Sequence, residues 1–148
     1  MREKLDNIKN IAQRCLKCKK PLCKEYCPLH NNIPVILNYI NNDQIVEAKK
    51  ELLKTTNMSF ICSKLCDHEK SCYGHCALRN TSDGSIAFYE VENYLSTLIS
   101  ESDYEKISNN KIKSKIAVIG AGVSGMNVAI ELAKLGLGVT LFDKNNQI

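Results

Sequence analysis

Through residues 1–100 the apolar positions recur at helical intervals, broken twice by segments rich in cysteine, lysine and small polar residues. Leu5, Ile8, Ile11 and Cys15 lie three or four positions apart, which predicts a short amphipathic helix over residues 3–14. Residues 15–32 are rich in Cys, Lys and Pro and read as loop. Pro34 suits the first turn of a second helix, where its missing N–H is not needed. Asp43 is placed to N-cap a third, whose apolar side would be Ile45, Ala48, Leu52 and Leu53. Residues 57–82 read as cysteine-bearing loop or short turns, and Asp83-Gly84-Ser85 opens a helix that runs to about residue 100.

The pattern then changes. Residues 101–114 are polar and weakly periodic and are expected to be a linker. Beyond them, residues 116–119 form a continuous apolar run, the mark of a buried strand. A glycine-rich turn, a helix over residues 124–135 and a second strand over 138–142 follow, which together make one βαβ unit. The expected division is a helical domain over 1–100, the linker, and a nucleotide-binding segment over 115–148, so the fold class is α+β.

Composition adds one departure from the ordinary. Hydrophobic residues make up 44% and charged residues 24% of the 148, as in common globular chains. No apolar run is long enough for a membrane span, and the charged start lacks the apolar core of an export signal. A cytoplasmic protein without a membrane partner is expected. The departure is eight cysteines, all between Cys15 and Cys76. In a reducing compartment such clustering favours metal over disulfides. The formal charge of +4 would be largely cancelled by ligating thiolates, and no basic stripe with interleaved aromatics is present, so no nucleic-acid partner is expected.

The first cysteine block is Cys15-x2-Cys18-x4-Cys23-x3-Cys27-Pro28, and the second is Cys62-x3-Cys66-x5-Cys72-x3-Cys76. The first is similar to the bacterial ferredoxin run, in which three cysteines hold one cubane and the fourth serves its neighbour. Short loops of this kind turn backbone amides towards the sulfurs. Zinc is the alternative, but only Cys15 and Cys18 form a zinc-type knuckle. His30, His68 and His75 read as surface groups or as neighbours of ligands. Glu92 falls inside an apolar stripe of Phe88, Val91, Leu95, Leu98 and Ile99. A buried carboxylate is costly unless paired or metal-bound. From the residues alone, a lysine pair or a place at the stripe's edge is the simpler account.

The segment from Gly120 reads Gly120-x-Gly122-x2-Gly125, with Ala129, Leu132, Gly136 and Val139 spaced behind it and Asp143 ending the second strand. The first glycine makes a tight turn, the second lets the backbone approach a pyrophosphate, and the third lets the helix pack closely on the sheet. An acid at Asp143 is placed for ribose hydroxyls. The fingerprint leaves FAD and NAD open.

Together, Cys15 to Pro28, Cys66-x5-Cys72-x3-Cys76, Gly84-Ser85-Ile86 and Ile119 to Gly125 resemble the small subunit of NADPH-dependent glutamate synthase and the N-terminal part of dihydropyrimidine dehydrogenase. The resemblance implies a mainly α-helical domain with two 4Fe–4S clusters, followed by the first βαβ unit of a Rossmann-like FAD-binding domain. It implies that Cys15, Cys18, Cys23 and Cys76 hold one cluster. Cys27, Cys66, Cys72 and Glu92 would hold the other, which reverses the simpler account of Glu92, and Cys62 has no ligand role. Gly120, Gly122, Gly125 and Asp143 would hold FAD, although Asp143 stands where Glu is usual and Val123 where Pro is common. The implied function is electron transfer from NADPH through FAD and the clusters to a larger catalytic subunit such as a glutamate synthase large subunit. Members of that family continue well past a first βαβ unit, so the chain is expected to be a piece of a longer or split protein whose NADPH site lies outside it. The rival expectation is a non-enzymatic 4Fe–4S electron-transfer or docking module.

Overall fold

A computed structural model describes residues 2–100, 103 and 112–145, with side chains described for 3–100, 103 and 115–145. Contacts divide the chain into two compact units, Met1–Asp103 and Tyr104–Ile148. Among the described residues no helix is long and apolar enough to cross a membrane.

The first unit is helical: α1 (Arg2–Gln13), a single turn α2 (Leu22–Glu25), α3 (Ile33–Asn41), α4 (Ile45–Leu53), α5 (Ser59–Leu65) and α6 (Phe88–Thr97). The apolar faces of α1, α3, α4 and α6 converge. Ile8 and Ala12 of α1, Ile36, Leu37 and Ile40 of α3, Ala48 and Leu52 of α4, and Phe88, Val91 and Leu95 of α6 form one core. Pro34 stands in the first turn of α3, as its missing donor allows. Cys72 is part of this core, and Cys15, Cys23 and Cys76 pack on its edge, so the cysteine loops are seated on the helices. At the end of α1, Arg14 donates to the carbonyls of Asp83 at 2.6 Å and Gly84 at 2.5 Å. One side chain thus holds the segment entering the first cysteine block against the segment leaving the second.

Three local expectations need correction. Asp43 does not cap α4; Gln44 is its N-cap residue and no side-chain cap bond forms. Asp43 instead ends α3. It has φ +59, its N–H bonds the Ile40 carbonyl at 3.1 Å, and the next N–H, of Gln44, reaches back to Tyr39 at 2.8 Å. This is the paired closure of a helix C-terminus, with a short polar residue in the left-handed position. Its carboxylate pairs with Lys9 of α1. The expected loop over 57–82 contains α5, which packs on α6 with Ser59 and Ser63 buried. Small polar residues form the inner face of that helix, so apolar spacing could not reveal it. Finally, α6 begins at Phe88 rather than near Asp83, because Gly84 has φ +67 and its carbonyl is held by Arg14.

Most of the expected linker lies outside the described residues, but 112–114 belong to a strand. The second unit contains β1 (Ile112–Ile119), α7 (Val123–Lys134) and β2 (Leu137–Phe142). The strands are parallel, in register from Ile116↔Val139 to Ile119↔Phe142. The apolar run over 116–119 predicts burial, yet these residues alternate between half-buried and exposed, and Ile119 is 81% exposed. One helix over a two-stranded sheet covers a single face, the face of Val118, whose Cγ1 lies 3.6 Å from where a side chain on Gly125 would begin.

Two outcomes follow from the helical unit. Leu52 is fully buried among the four helices, so Leu52→Ala should lower unfolding stability by about 2–5 kcal/mol in denaturant titration of that unit. Lys49 bonds the Asp103 carboxylate at 2.7 and 2.8 Å, and the Ser100 N–H and hydroxyl each add a bond at 2.9 Å. These partners, Lys49 first, hold the Asp103 carboxyl down at about 2. A depressed carboxylate stabilises the fold above its unfolded value near 3.8 and loses that effect as pH falls through about 2. Asp103→Asn should therefore be less stable than the native chain at neutral pH, and the difference should vanish between about pH 4 and pH 2 in acid-unfolding curves.

Candidate functional site

The cysteines lie on loops pinned by helix ends. Cys15 and Cys18 follow α1, Cys23 lies within α2, and Cys27 comes just after α2. Cys62 lies within α5, and Cys66 is its C-cap residue. Cys72 and Cys76 sit in successive turns beyond it. One such turn leaves no room at Gly74, where a Cβ would run into the Glu69 carbonyl.

These residues sort into two cavities. The first, about 100 Å³, is lined by Cys15, Cys18, Cys23 and Cys76, with Cys72 on its wall. The second, about 80 Å³, is lined by Cys27, Cys66, Cys72, Glu92 and Cys62. The blocks thus cross over: Cys27 of the first block lines the second cavity, Cys76 of the second block lines the first, and Cys72 lines both. Cys62, for which the resemblance implies no ligand role, also lines the second cavity. None of the eight cysteines is paired in a disulfide. Among the described residues no three His, Cys, Asp or Glu side chains converge enough to hold one metal ion. The donors stand apart on cavity walls.

Electrostatics follow from this enclosure. Burial pushes the Cys23 thiol up to about 11, helped by its neighbours Cys76, Cys15 and Cys18. Burial likewise raises Cys15, and the Lys17 N–H, bonded to its sulfur, works against the rise. The Lys24 N–H does the same at Cys23. Lys17 presents its amide from a left-handed backbone, φ +51. In the second cavity burial takes Cys72 up to about 12, with Cys27, Cys66 and Glu92 adding to the rise. Burial also raises Cys62, with Glu92 the foremost of its charged neighbours. Burial thus favours the protonated forms of Cys15, Cys23, Cys62 and Cys72, a preference that a bound cation would reverse.

Glu92 is 5% exposed, on the buried face of α6. Neither the lysine pair nor the stripe edge is found: among the described residues its carboxylate accepts a single long bond, 3.4 Å, donated by Asn31 Nδ2. Burial raises its carboxyl to about 7 and that bond opposes the rise. Asn31, only 2% exposed, is oriented by the Thr55 hydroxyl, which donates to its Oδ1 and leaves Nδ2 turned to Glu92. No motif signals this contact, because it spans 61 positions of sequence. The histidines differ among themselves. His75 lines the first cavity and stacks on Tyr26 at 3.5 Å, His68 lines the second, and His30 is exposed.

The second unit presents its own site. Gly120, with φ +102, turns the chain out of β1, and Gly122 is the N-cap residue of α7 with open space beside it. A Cβ on Gly125 would strike the Gly120 carbonyl, so helix and turn meet at a distance only glycine permits. A cleft at the carboxyl ends of β1 and β2 is lined by Gly120, Phe142 and Asp143. The Asp143 carboxylate accepts the Ala121 N–H at 2.7 Å and the Asn145 N–H at 2.9 Å, and those bonds hold it below the usual range.

Comparison with known proteins agrees with the motifs. Residues 2–104 match the family described as dihydropyrimidine dehydrogenase domain II, 4Fe-4S cluster, and residues 81–148 match the family described as pyridine nucleotide-disulphide oxidoreductase. The glutamate synthase (NADPH) small chain of Escherichia coli (strain K12) is 31% identical over 93% of this chain. That of Azospirillum brasilense is 29% identical over the same share. The NAD-dependent dihydropyrimidine dehydrogenase subunit PreT of Salmonella typhimurium is 25% identical over 92%. The chain spans 29% of the length of the two glutamate synthase small chains and 33% of the PreT subunit. With a match that runs through both cysteine blocks and over more than half of the residues, the chain belongs to the family of dihydropyrimidine dehydrogenase domain II, the 4Fe–4S cluster domain.

Proposed function

We propose that this chain is the electron-transfer portion of an iron–sulfur flavoprotein of the glutamate synthase small-chain type, carrying two 4Fe–4S clusters. Cys15, Cys18, Cys23 and Cys76 hold the first; Cys27, Cys66, Cys72 and Glu92 hold the second. The observation that supports this best is the exchange of Cys27 and Cys76 between two adjoining cavities. The donor set suits the group. Zinc needs donors about 2.0–2.3 Å from one point, whereas these line cavities that a multi-atom core would fill. When bound, such clusters take up and release single electrons, at potentials set by charge, hydrogen bonds and exposure.

The chain's own residues shape those potentials. The Lys17 and Lys24 amides give hydrogen bonds to Cys15 and Cys23 and so favour the thiolate forms. Asn31, oriented by Thr55, holds the Glu92 carboxylate at the second cavity. The helical core excludes water behind both. In the second unit, Gly120, Gly122, Gly125 and Asp143 would hold the pyrophosphate and ribose of FAD. The open backbone at Gly122 and the cleft at the strand ends suit it. In the complete protein NADPH would reduce FAD, and the clusters would pass electrons on to a larger catalytic subunit of the glutamate synthase large-subunit kind.

After anaerobic reconstitution, iron and acid-labile sulfide should each approach about eight per chain. The pairing across the two blocks can be read from double variants. Cys15→Ser/Cys76→Ser removes two ligands of one cluster and should leave about four irons, whereas Cys27→Ser/Cys76→Ser removes one from each and should leave far fewer. Equal iron in the two double variants would overturn the ligand assignment, and zinc in place of iron would overturn the cluster reading.

A further inference from the structure

His68 lies between Cys66 and Cys72, and it lines the second cavity together with Cys27, Cys66 and Glu92. Its position is held from two sides. The ring stacks on Tyr89 with centroids 4.5 Å apart. Its carbonyl accepts the N–H groups of Ser71, Tyr73 and Gly74, each at 3.1 Å, so the turn between the cysteines closes on this residue. Its Nε2 is nevertheless buried and has no hydrogen-bond partner among the described residues. A buried polar atom left unpaired costs about 1–3 kcal/mol. A ring fixed this firmly with an orphan nitrogen fits a partner that arrives with whatever fills the cavity.

The chemistry of that partner settles the direction of the bond. Thiolates, sulfides and an ionised carboxylate are all acceptors. A bond from Nε2 to any of them requires the tautomer with the proton on Nε2. We propose that His68 Nε2–H donates a hydrogen bond to a sulfur of the second cluster and raises its reduction potential. This rests on reading that cavity as a 4Fe–4S site. His68 is a positioning residue and not a ligand. Reduction adds a negative charge to the cluster, and a fixed donor stabilises the reduced form more than the oxidised one.

The test uses the anaerobically reconstituted chain with the variants His68→Phe, which keeps a ring against Tyr89, and His68→Gln, which keeps an N–H donor. Iron and sulfide should stay at about eight per chain in both. In His68→Phe one cluster's reduction equilibrium should fall about tenfold, equivalent to about 59 mV for one electron, while the other cluster does not move. His68→Gln should restore most of that loss. In the native chain grown with nitrogen-15 histidine, pulsed spectroscopy of the reduced clusters should detect a weak histidine nitrogen coupling that His68→Gln abolishes. An unmoved potential in His68→Phe at full iron content overturns the proposal. So does the lack of histidine coupling in the native chain, a result that holds even if His68→Phe fails to assemble. Native iron near four would instead overturn the two-cluster reading on which the proposal rests.

Discussion

The structure is organised around the burial of acidic groups that have no cationic side chains to pair with. Cys23, Cys72 and Glu92 are all pushed towards their neutral forms by desolvation, and the charged neighbours that add to the rise are other cysteines at Cys23, and cysteines together with Glu92 at Cys72. No lysine or arginine is ion-paired with Glu92 among the described residues. Such an arrangement is unfavourable for thiolates alone and favourable once positive charge enters. The helices must therefore keep together two cysteine loops whose ionised side chains would otherwise repel. The core of α1, α3, α4 and α6 does this, and Arg14 fastens the two loops where one is entered and the other left.

The legible part of this organisation was the part written in apolar spacing and in cysteine spacing. Helices α1, α4 and α6 bury apolar residues whose spacing announced them, such as Val91 and Leu95, whereas α3, which buries Ile36, Leu37 and Ile40, was signalled by Pro34. Helix α5 did not announce itself, since Ser59 and Ser63 form its inner face. Asp43 illustrates a residue whose type suits two positions, a helix start and a left-handed helix stop; only the backbone course chose between them. Residues 116–119 looked buried because apolar runs usually are, but a single helix shields one face of a two-stranded sheet.

At the site, the split follows the distance between partners. Motif spacing pointed to the cysteines and to Gly120, Gly122 and Gly125. Nothing local pointed to Asn31, which meets Glu92 across 61 residues, or to Thr55, which orients it. The Lys17 and Lys24 amides are backbone groups, and their direction comes from local dihedrals rather than from side-chain identity. The family match over residues 2–104 identifies the iron–sulfur character of the domain.

Cys72 forms part of the wall of both cavities. A single residue therefore stands between the two cavities. Charges seated so near each other interact strongly at the low effective dielectric of a protein interior. Charge placed in one cavity would therefore be felt in the other, and a change of side chain at Cys72 would alter the surroundings of both at once.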